Sequence, residues 1–131
     1  MARTIELADG VYRIATDNYR LNTGLVLGLE RALVVDTGAG PRQATEIYDE
    51  VRRLTRLPIT VVNTHGHYER FFGNDVFAAM GAEEFWAHPR AARAIRKYGE
   101  AQRPYVETLE PEMAHHQGAA TNIIVPNRLV A

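Results

Sequence analysis

The sequence has no cysteine among its 131 residues. This absence excludes disulfide bonds, thiolate metal ligands and a cysteine nucleophile. Any metal that the protein binds must therefore be held by nitrogen and oxygen ligands, which in practice means histidine and carboxylate side chains.

A strong net charge and long apolar runs are also missing. The formal net charge is −1, so nothing indicates a nucleic-acid-binding surface or an attraction to membranes. No apolar run approaches the roughly 20 residues of a membrane span, and the first residues carry no signal-peptide core. We therefore expect a cytoplasmic protein with no nucleic-acid and no membrane partner.

The order of the predicted elements indicates a layered α/β protein. An Asp9-Gly10 turn predicts a hairpin, Pro41 opens a helix, and Gly81 closes a shorter helix that Asn74 caps. The predicted strands are Ile5–Leu7, Val11–Ala15, Thr23–Leu29, Ala32–Val35, Ile59–Val62 and Glu84–Ala87. A last helix begins at His88-Pro89 and is predicted to end between Tyr98 and Gln102.

This order predicts one domain over residues 1–131, with a mostly antiparallel sheet and helices on one face. The core is expected over about residues 5–102, followed by an irregular tail over 103–131. Within that tail, Ile123-Ile124-Val125 is the only strand candidate.

The chemistry-bearing stretch is the loop after the fifth strand, Asn63-Thr64-His65-Gly66-His67-Tyr68-Glu69-Arg70. In an extended chain every second side chain points the same way, so His65, His67 and Glu69 are expected to converge. Two histidines and one carboxylate form a ligand set that is used for catalytic zinc and for non-haem iron. The alternative is a polar loop with two surface histidines.

At these residues the sequence resembles the metallo-β-lactamase fold superfamily. One part of the resemblance is Val34-Val35-Asp36-Thr37-Gly38, a strand and glycine turn before the first helix. The other part is the histidine loop followed by Phe72-Gly73-Asn74, where the family reads Thr-His-x-His-x-Asp-His and then a glycine. The resemblance implies half of an αβ/βα sandwich.

The resemblance also implies roles for five residues. His65 and His67 take the first two metal-ligand positions. Glu69 stands where the family has an aspartate, so it is expected to be a third ligand or the general base. Arg70 stands where the family has a histidine, and a guanidinium cannot bind a metal. Asp36 is expected to hold the histidine loop by hydrogen bonds, with a turn or helix-capping role as the alternative.

The family's remaining ligands come from a second αβ half, which this chain does not contain. His115 and His116 are candidate substitutes, with ordinary surface or loop histidines as the alternative, and His88 is a buried loop residue, a cap residue or a ligand. A complementary C-terminal half, or a second copy packed sheet to sheet as a homodimer, is the expected partner.

The implied function is hydrolysis of an ester, amide, thioester or phosphoester bond by metal-bound water, with this activity impaired or incomplete in a truncated domain. The implied cofactor is zinc, with iron or no metal as alternatives, and the small-molecule substrate is not identified. The competing hypothesis is a non-catalytic half-domain that self-associates through an exposed sheet.

Overall fold

A computed structural model describes residues 2–17, 21–109, 115–116 and 119–130, with the backbone alone at 115, 116, 119 and 120. The strands are β1 (Arg3–Ala8), β2 (Val11–Ala15), β3 (Asn22–Leu27), β4 (Ala32–Val35), β5 (Ile59–Asn63), β6 (Glu84–Ala87), β7 (His115–His116), β8 (Ala119–Ala120) and β9 (Arg128–Leu129). The helices are α1 (Pro41–Leu54), α2 (Tyr68–Phe71), α3 (Asn74–Ala79) and α4 (Pro89–Leu109).

Seven strands form one mixed sheet in the order β1-β2-β3-β4-β5-β6-β9. The pairs from β1 to β4 are antiparallel, and the pairs β4-β5, β5-β6 and β6-β9 are parallel. The predicted fold class is confirmed, and the antiparallel character belongs to the first four strands. The parallel half matters for the site, because the carboxyl ends of parallel strands meet at one edge of a sheet.

Helix α1 covers one face of the sheet. Pro41 stands in its first turn, where its missing N–H costs nothing. One side of α1 faces the sheet, since Ala44, Ile47 and Val51 are fully buried. They pack against buried strand residues in the main core, which also contains Phe77 of α3.

A second cluster lies beneath the histidine loop. Its buried members come from the turn before α1, from α2 and its flank, and from α4: Ala39, Tyr68, Phe71, Phe72, Ile95 and Val106. Ile123 and Val125 pack against this cluster. The core thus extends beyond the expected limit of about residue 102 in the described part of the chain, through Val106, Ile123 and Val125, although residues 121–127 form neither helix nor strand.

Three local predictions are also wrong. Helix α4 continues through Pro104 to Leu109, beyond the predicted end. The run Ile123–Val125 is not a strand: Ile123 and Val125 pack against the second cluster and Ile124 against the main core, while β9 forms at Arg128–Leu129. Asn74 does not cap α3, since its side chain bonds elsewhere. In the described part of the chain, no helix has the length and apolarity needed to cross a membrane.

The second face of the sheet is partly exposed. Strand register places its side chains in adjacent rows, in which Val35 lies opposite Val62 and Val62 opposite Trp86. We call this the open face, and its apolar members include Ile5, Val11, Ala15, Val26, Leu33, Val35, Val62 and Trp86. The solvent-exposed fraction is 47% for Ile5 and 38% for Val26. The predicted placement of helices on one face is thus confirmed.

Candidate metal site

The candidate site lies where β4 and β5 end side by side. Val35 pairs with Val62, and the Asp36 amide donates to the Val62 carbonyl at 2.8 Å. Asp36 therefore emerges beside the start of the histidine loop. The sequence placed both segments after buried strands, and the structure brings them together at the carboxyl edge of the parallel half.

Asp36 holds the first residue of the histidine loop. Its Oδ1 accepts from the Thr64 amide and its Oδ2 from the Thr64 hydroxyl, both at 2.8 Å. The residue adopts φ 66°, a left-handed conformation that aspartate tolerates better than most residues. Burial raises the pKa of Asp36, against the opposing effects of the Thr64 hydrogen bonds and the Arg70 charge. The predicted contact with the histidine loop is present.

Thr64 connects Asp36 to His65. Its hydroxyl lies 3.0 Å from His65 Nδ1. Because the Thr64 hydroxyl donates its single proton to Asp36 Oδ2, the Thr64 oxygen can bond to Nδ1 only by accepting a hydrogen bond from it. In a neutral imidazole this arrangement leaves the lone pair on Nε2, which is the form of histidine that binds a metal.

His67 and Glu69 meet directly, although the loop is not extended as predicted. Helix α2 begins at Tyr68, so Glu69 lies in a helical turn. His67 itself is extended, with φ −94° and ψ 145°, and its Nδ1 contacts Glu69 Oε2. The predicted alternation therefore fails at Tyr68, but the bend still brings the Glu69 carboxylate to His67.

Arg70 contacts both carboxylates of the site. Its NH1 group lies 3.4 Å from Asp36 Oδ2, and its Nε lies 3.9 Å from Glu69 Oε1. Its backbone carbonyl accepts from Asn63 Nδ2 at 2.8 Å and from the Thr37 amide at 3.1 Å. Arg70 thus neutralises negative charge at the site and helps fix the loop through its main chain.

A buried amide pair supports the loop from below, and the sequence reasoning did not find it. Asn74 Nδ2 donates to Asn63 Oδ1 at 2.7 Å, and Asn63 Nδ2 donates back to Asn74 Oδ1 at 3.1 Å. Asn74 also accepts from the Thr37 hydroxyl at 2.7 Å and donates to the Ile124 carbonyl at 3.0 Å. An available signal was Asn63 itself, an amide at the end of an otherwise apolar strand.

The donor chemistry fits a divalent cation only in part. Glu69 Oε2 is buried and has no hydrogen-bond partner among the described residues, although it lies against the His67 ring nitrogen. An orphaned carboxylate oxygen beside an imidazole is a pair of donors that suits zinc or iron. However, the described residues include no group of three or more His, Asp or Glu side chains that could hold a metal together. The His65 and His67 ring centroids lie 6.3 Å apart.

His88 does not join this pair. His88 is exposed, and its Nδ1 accepts from the Arg90 amide at 3.1 Å. It therefore caps the start of α4, which was one of its predicted roles, and it is not a buried loop residue. The side chains of His115 and His116 lie outside what the structure describes.

Residues 19–121 match the family model of the metallo-beta-lactamase superfamily. Among solved structures, a metallo-beta-lactamase from Hirschia baltica is 16% identical with a TM-score of 0.67, over 98% of this chain and 52% of that one. One from Erythrobacter litoralis is 20% identical with a TM-score of 0.62, over 75% of this chain and 46% of that one.

The mono-zinc form of FIM-1 from Pseudomonas aeruginosa is 19% identical with a TM-score of 0.63, over 75% of this chain and 46% of that one. The chain thus spans about half the length of the solved structures that it matches. At these identities the structural likeness shows the fold, and the family match covers most of the sequence. By that match, the chain belongs to the metallo-beta-lactamase superfamily.

Proposed function

We propose that this chain supplies the metal-binding loop of a metal-dependent hydrolase, acting on an ester, amide, thioester or phosphoester. The observation that carries the proposal is the contact between His67 Nδ1 and the buried, otherwise unpartnered Glu69 Oε2. A carboxylate oxygen buried without a hydrogen-bond donor is costly unless a cation is paired with it, and a metal would supply that cation to Oε2, beside the Arg70 guanidinium whose Nε lies 3.9 Å from Oε1.

In this proposal His65, His67 and Glu69 hold the metal, with zinc as the first choice and iron as the second. A bound divalent metal lowers the pKa of a water ligand toward neutrality and so supplies hydroxide. Asp36 acts through Thr64, since it fixes the hydroxyl that in turn orients His65. Glu69 is the candidate general base if it does not bind the metal itself.

The ligand set of this chain is expected to be incomplete, and the proposed activity correspondingly weak. Two histidines and one carboxylate leave open positions for water, but His65 is not clustered with the other two donors. A complementary C-terminal half is the proposed source of further ligands. This expectation rests on the family's two-half architecture and on the coverage of about half of the solved structures.

Zinc binding tests the proposal. We expect calorimetric titration of the metal-free protein to give about one zinc per chain, and His65→Ala, His67→Ala and Glu69→Gln each to weaken binding at least about tenfold. His88→Ala is the matched control, because this histidine is exposed and lies outside the loop. Equal loss in the control and in the loop variants would contradict the proposal. If only the loop variants lose affinity, the zinc-loaded protein would be screened with esterase, lactamase and phosphodiesterase substrates.

A second candidate is favoured by the open face. Contiguous exposed apolar surface usually marks an interaction site, and register places Leu33, Val35 and Val62 on adjacent strands of that face. We propose that two copies pack sheet to sheet as a two-fold homodimer. Such an assembly would need no metal and would persist in the His67→Ala variant.

Light scattering at micromolar concentration tests this assembly. We expect a dimer for the parent protein and a monomer for Leu33→Glu, which introduces a charge into the open face. Leu29→Glu is the matched control, since Leu29 is 99% exposed in the turn before β4. A folded monomer of the parent protein would refute self-association, and a dimer that survives Leu33→Glu would move the contact elsewhere.

A further inference from the structure

Helix α4 packs directly against the backbone of the histidine loop. A Cβ atom placed on Gly66 would lie 2.7 Å from the Cβ of Ala94 and 3.3 Å from the amide nitrogen of Ile95. Real side chains do not approach so closely, so the loop can rest on α4 only because residue 66 is glycine. The helix is therefore part of the surface that shapes the loop.

One side chain of α4 bonds to the loop at two points. Gln102 Nε2 donates to the Gly66 carbonyl at 3.0 Å, and Gln102 Oε1 accepts from the Tyr68 amide at 2.8 Å. These two peptide groups lie on either side of His67. The Tyr68 amide belongs to the first turn of α2, where backbone donors have no partner within the helix, and His67 gives no side-chain cap to α2.

The two bonds constrain His67 specifically. Fixing the peptide planes before and after a residue limits its φ and ψ, and these angles direct its Cα–Cβ bond. The His67 ring is directed at Glu69 and lies over Tyr68, with ring centroids 4.7 Å apart. Because 55% of the His67 side chain is exposed, contacts of the ring alone restrain the imidazole weakly. Its orientation therefore depends on the restrained backbone of His67.

We propose that Gln102 is a positioning residue for His67, holding its imidazole toward Glu69 from outside the loop. The proposal rests on the proposed metal site for its consequence in binding, but its structural part concerns the metal-free protein. The shape of the histidine loop then depends on two segments of the chain, the loop itself and helix α4.

Two substitutions separate the bonds. Gln102→Met keeps the side-chain length and removes both, whereas Gln102→Glu keeps the acceptor for the Tyr68 amide and loses the donor to Gly66. Arg93→Met is the control, because Arg93 is exposed on the same helix. The measurements are the amide exchange of Tyr68 and the ring NOEs of His67 in the metal-free protein, followed by zinc affinity.

For Gln102→Met we expect at least about tenfold faster exchange at Tyr68 and loss of the His67–Tyr68 NOE, while the Tyr68–Tyr105 contact at 5.8 Å persists. Zinc affinity should fall about tenfold or more, as for other groups that orient metal ligands. Gln102→Glu should retain the Tyr68 protection and show an intermediate affinity, and Arg93→Met should match the parent protein.

An unchanged His67–Tyr68 NOE in Gln102→Met would overturn the inference, as would an unchanged zinc affinity beside faster Tyr68 exchange. If Gln102→Met does not fold, Gln102→Glu decides, because an affinity equal to that of the parent protein would also overturn it. A parent protein that binds no zinc would defeat the proposed function, while the NOE and exchange results would still decide the positioning role.

Discussion

The buried Asn63–Asn74 pair gives the sharpest prediction about stability. Asn74→Ala removes four hydrogen bonds from a side chain that has no exposure. Asn63 Nδ2 keeps the Arg70 carbonyl, and the Thr37 hydroxyl keeps a contact with it at 3.3 Å. The Asn63 Oδ1 acceptor and the Ile124 carbonyl, however, lose the Asn74 donor.

Each buried group left without a partner costs about 1–3 kcal/mol, so Asn74→Ala should lower the free energy of unfolding by about 2–6 kcal/mol. This is a large part of the roughly 5–15 kcal/mol that holds a typical domain together. Urea unfolding followed by Trp86 fluorescence and far-UV circular dichroism measures the loss, and an unchanged m-value would show that the unfolding reaction is the same.

Asn127→Ala is the matched control for burial. Asn127 also makes two amide-type bonds, accepting from the Phe85 amide at 2.9 Å and donating to the Glu83 carbonyl at 3.1 Å. It is exposed, so water can replace its bonds, and the loss should stay below about 1 kcal/mol. If Asn74→Ala and Asn127→Ala cost the same, burial does not set the value of the Asn74 network and the reasoning fails.

Three further predictions follow from local structure. Because burial raises the pKa of Asp36 in the folded state, the free energy of unfolding should fall as pH rises from about 3.9, the pKa of an unperturbed aspartate, through the raised pKa of the folded state. Urea unfolding of Asp36→Asn at several pH values should not show that part of the decline. Gly73→Ala would place a Cβ 2.0 Å from the Thr37 carbonyl oxygen, so we expect loss of cooperative thermal unfolding, whereas Gly81→Ala meets no atom and should cost only about 1–2 kcal/mol for its positive φ. Pro104→Ala should raise the free energy of unfolding by about 1–3 kcal/mol and sharpen the helical circular dichroism signal, because it restores a donor inside α4; an unchanged melting temperature would count against this reasoning.

The sequence was sufficient to predict the two strands that position the candidate site. Apolar runs ending in Asp36 and Asn63 predicted two buried strands, and the structure pairs them in parallel so that both polar residues reach one edge. The contact of Asp36 with the histidine loop was expected from the resemblance to the metallo-β-lactamase superfamily, and the structure contains it. The two buried strands, in contrast, were predicted from local patterns and from the order of elements.

The direction of Glu69 could not be predicted in the same way. An extended loop was assumed, but Gly66 rests on α4 and Gln102 captures the Tyr68 amide, so a helical turn starts there. Those contacts join segments that are far apart in sequence, and no local sequence pattern indicates them. The absence of a strand at Ile123 was not predicted for a related reason. A β-branched run has the same composition whether it pairs with a strand or packs against a helix.

The Asn74 amide also bears on the order in which the protein folds. Its hydrogen bonds span 11 residues to Asn63, 37 to Thr37 and 50 to Ile124. Contacts across such separations form late, because the intervening chain must first be closed into loops. The histidine loop should therefore reach its native shape only in the final stage of folding. A partly folded chain would carry both histidines without their support, so on the proposed metal site the zinc affinity would report whether folding has been completed.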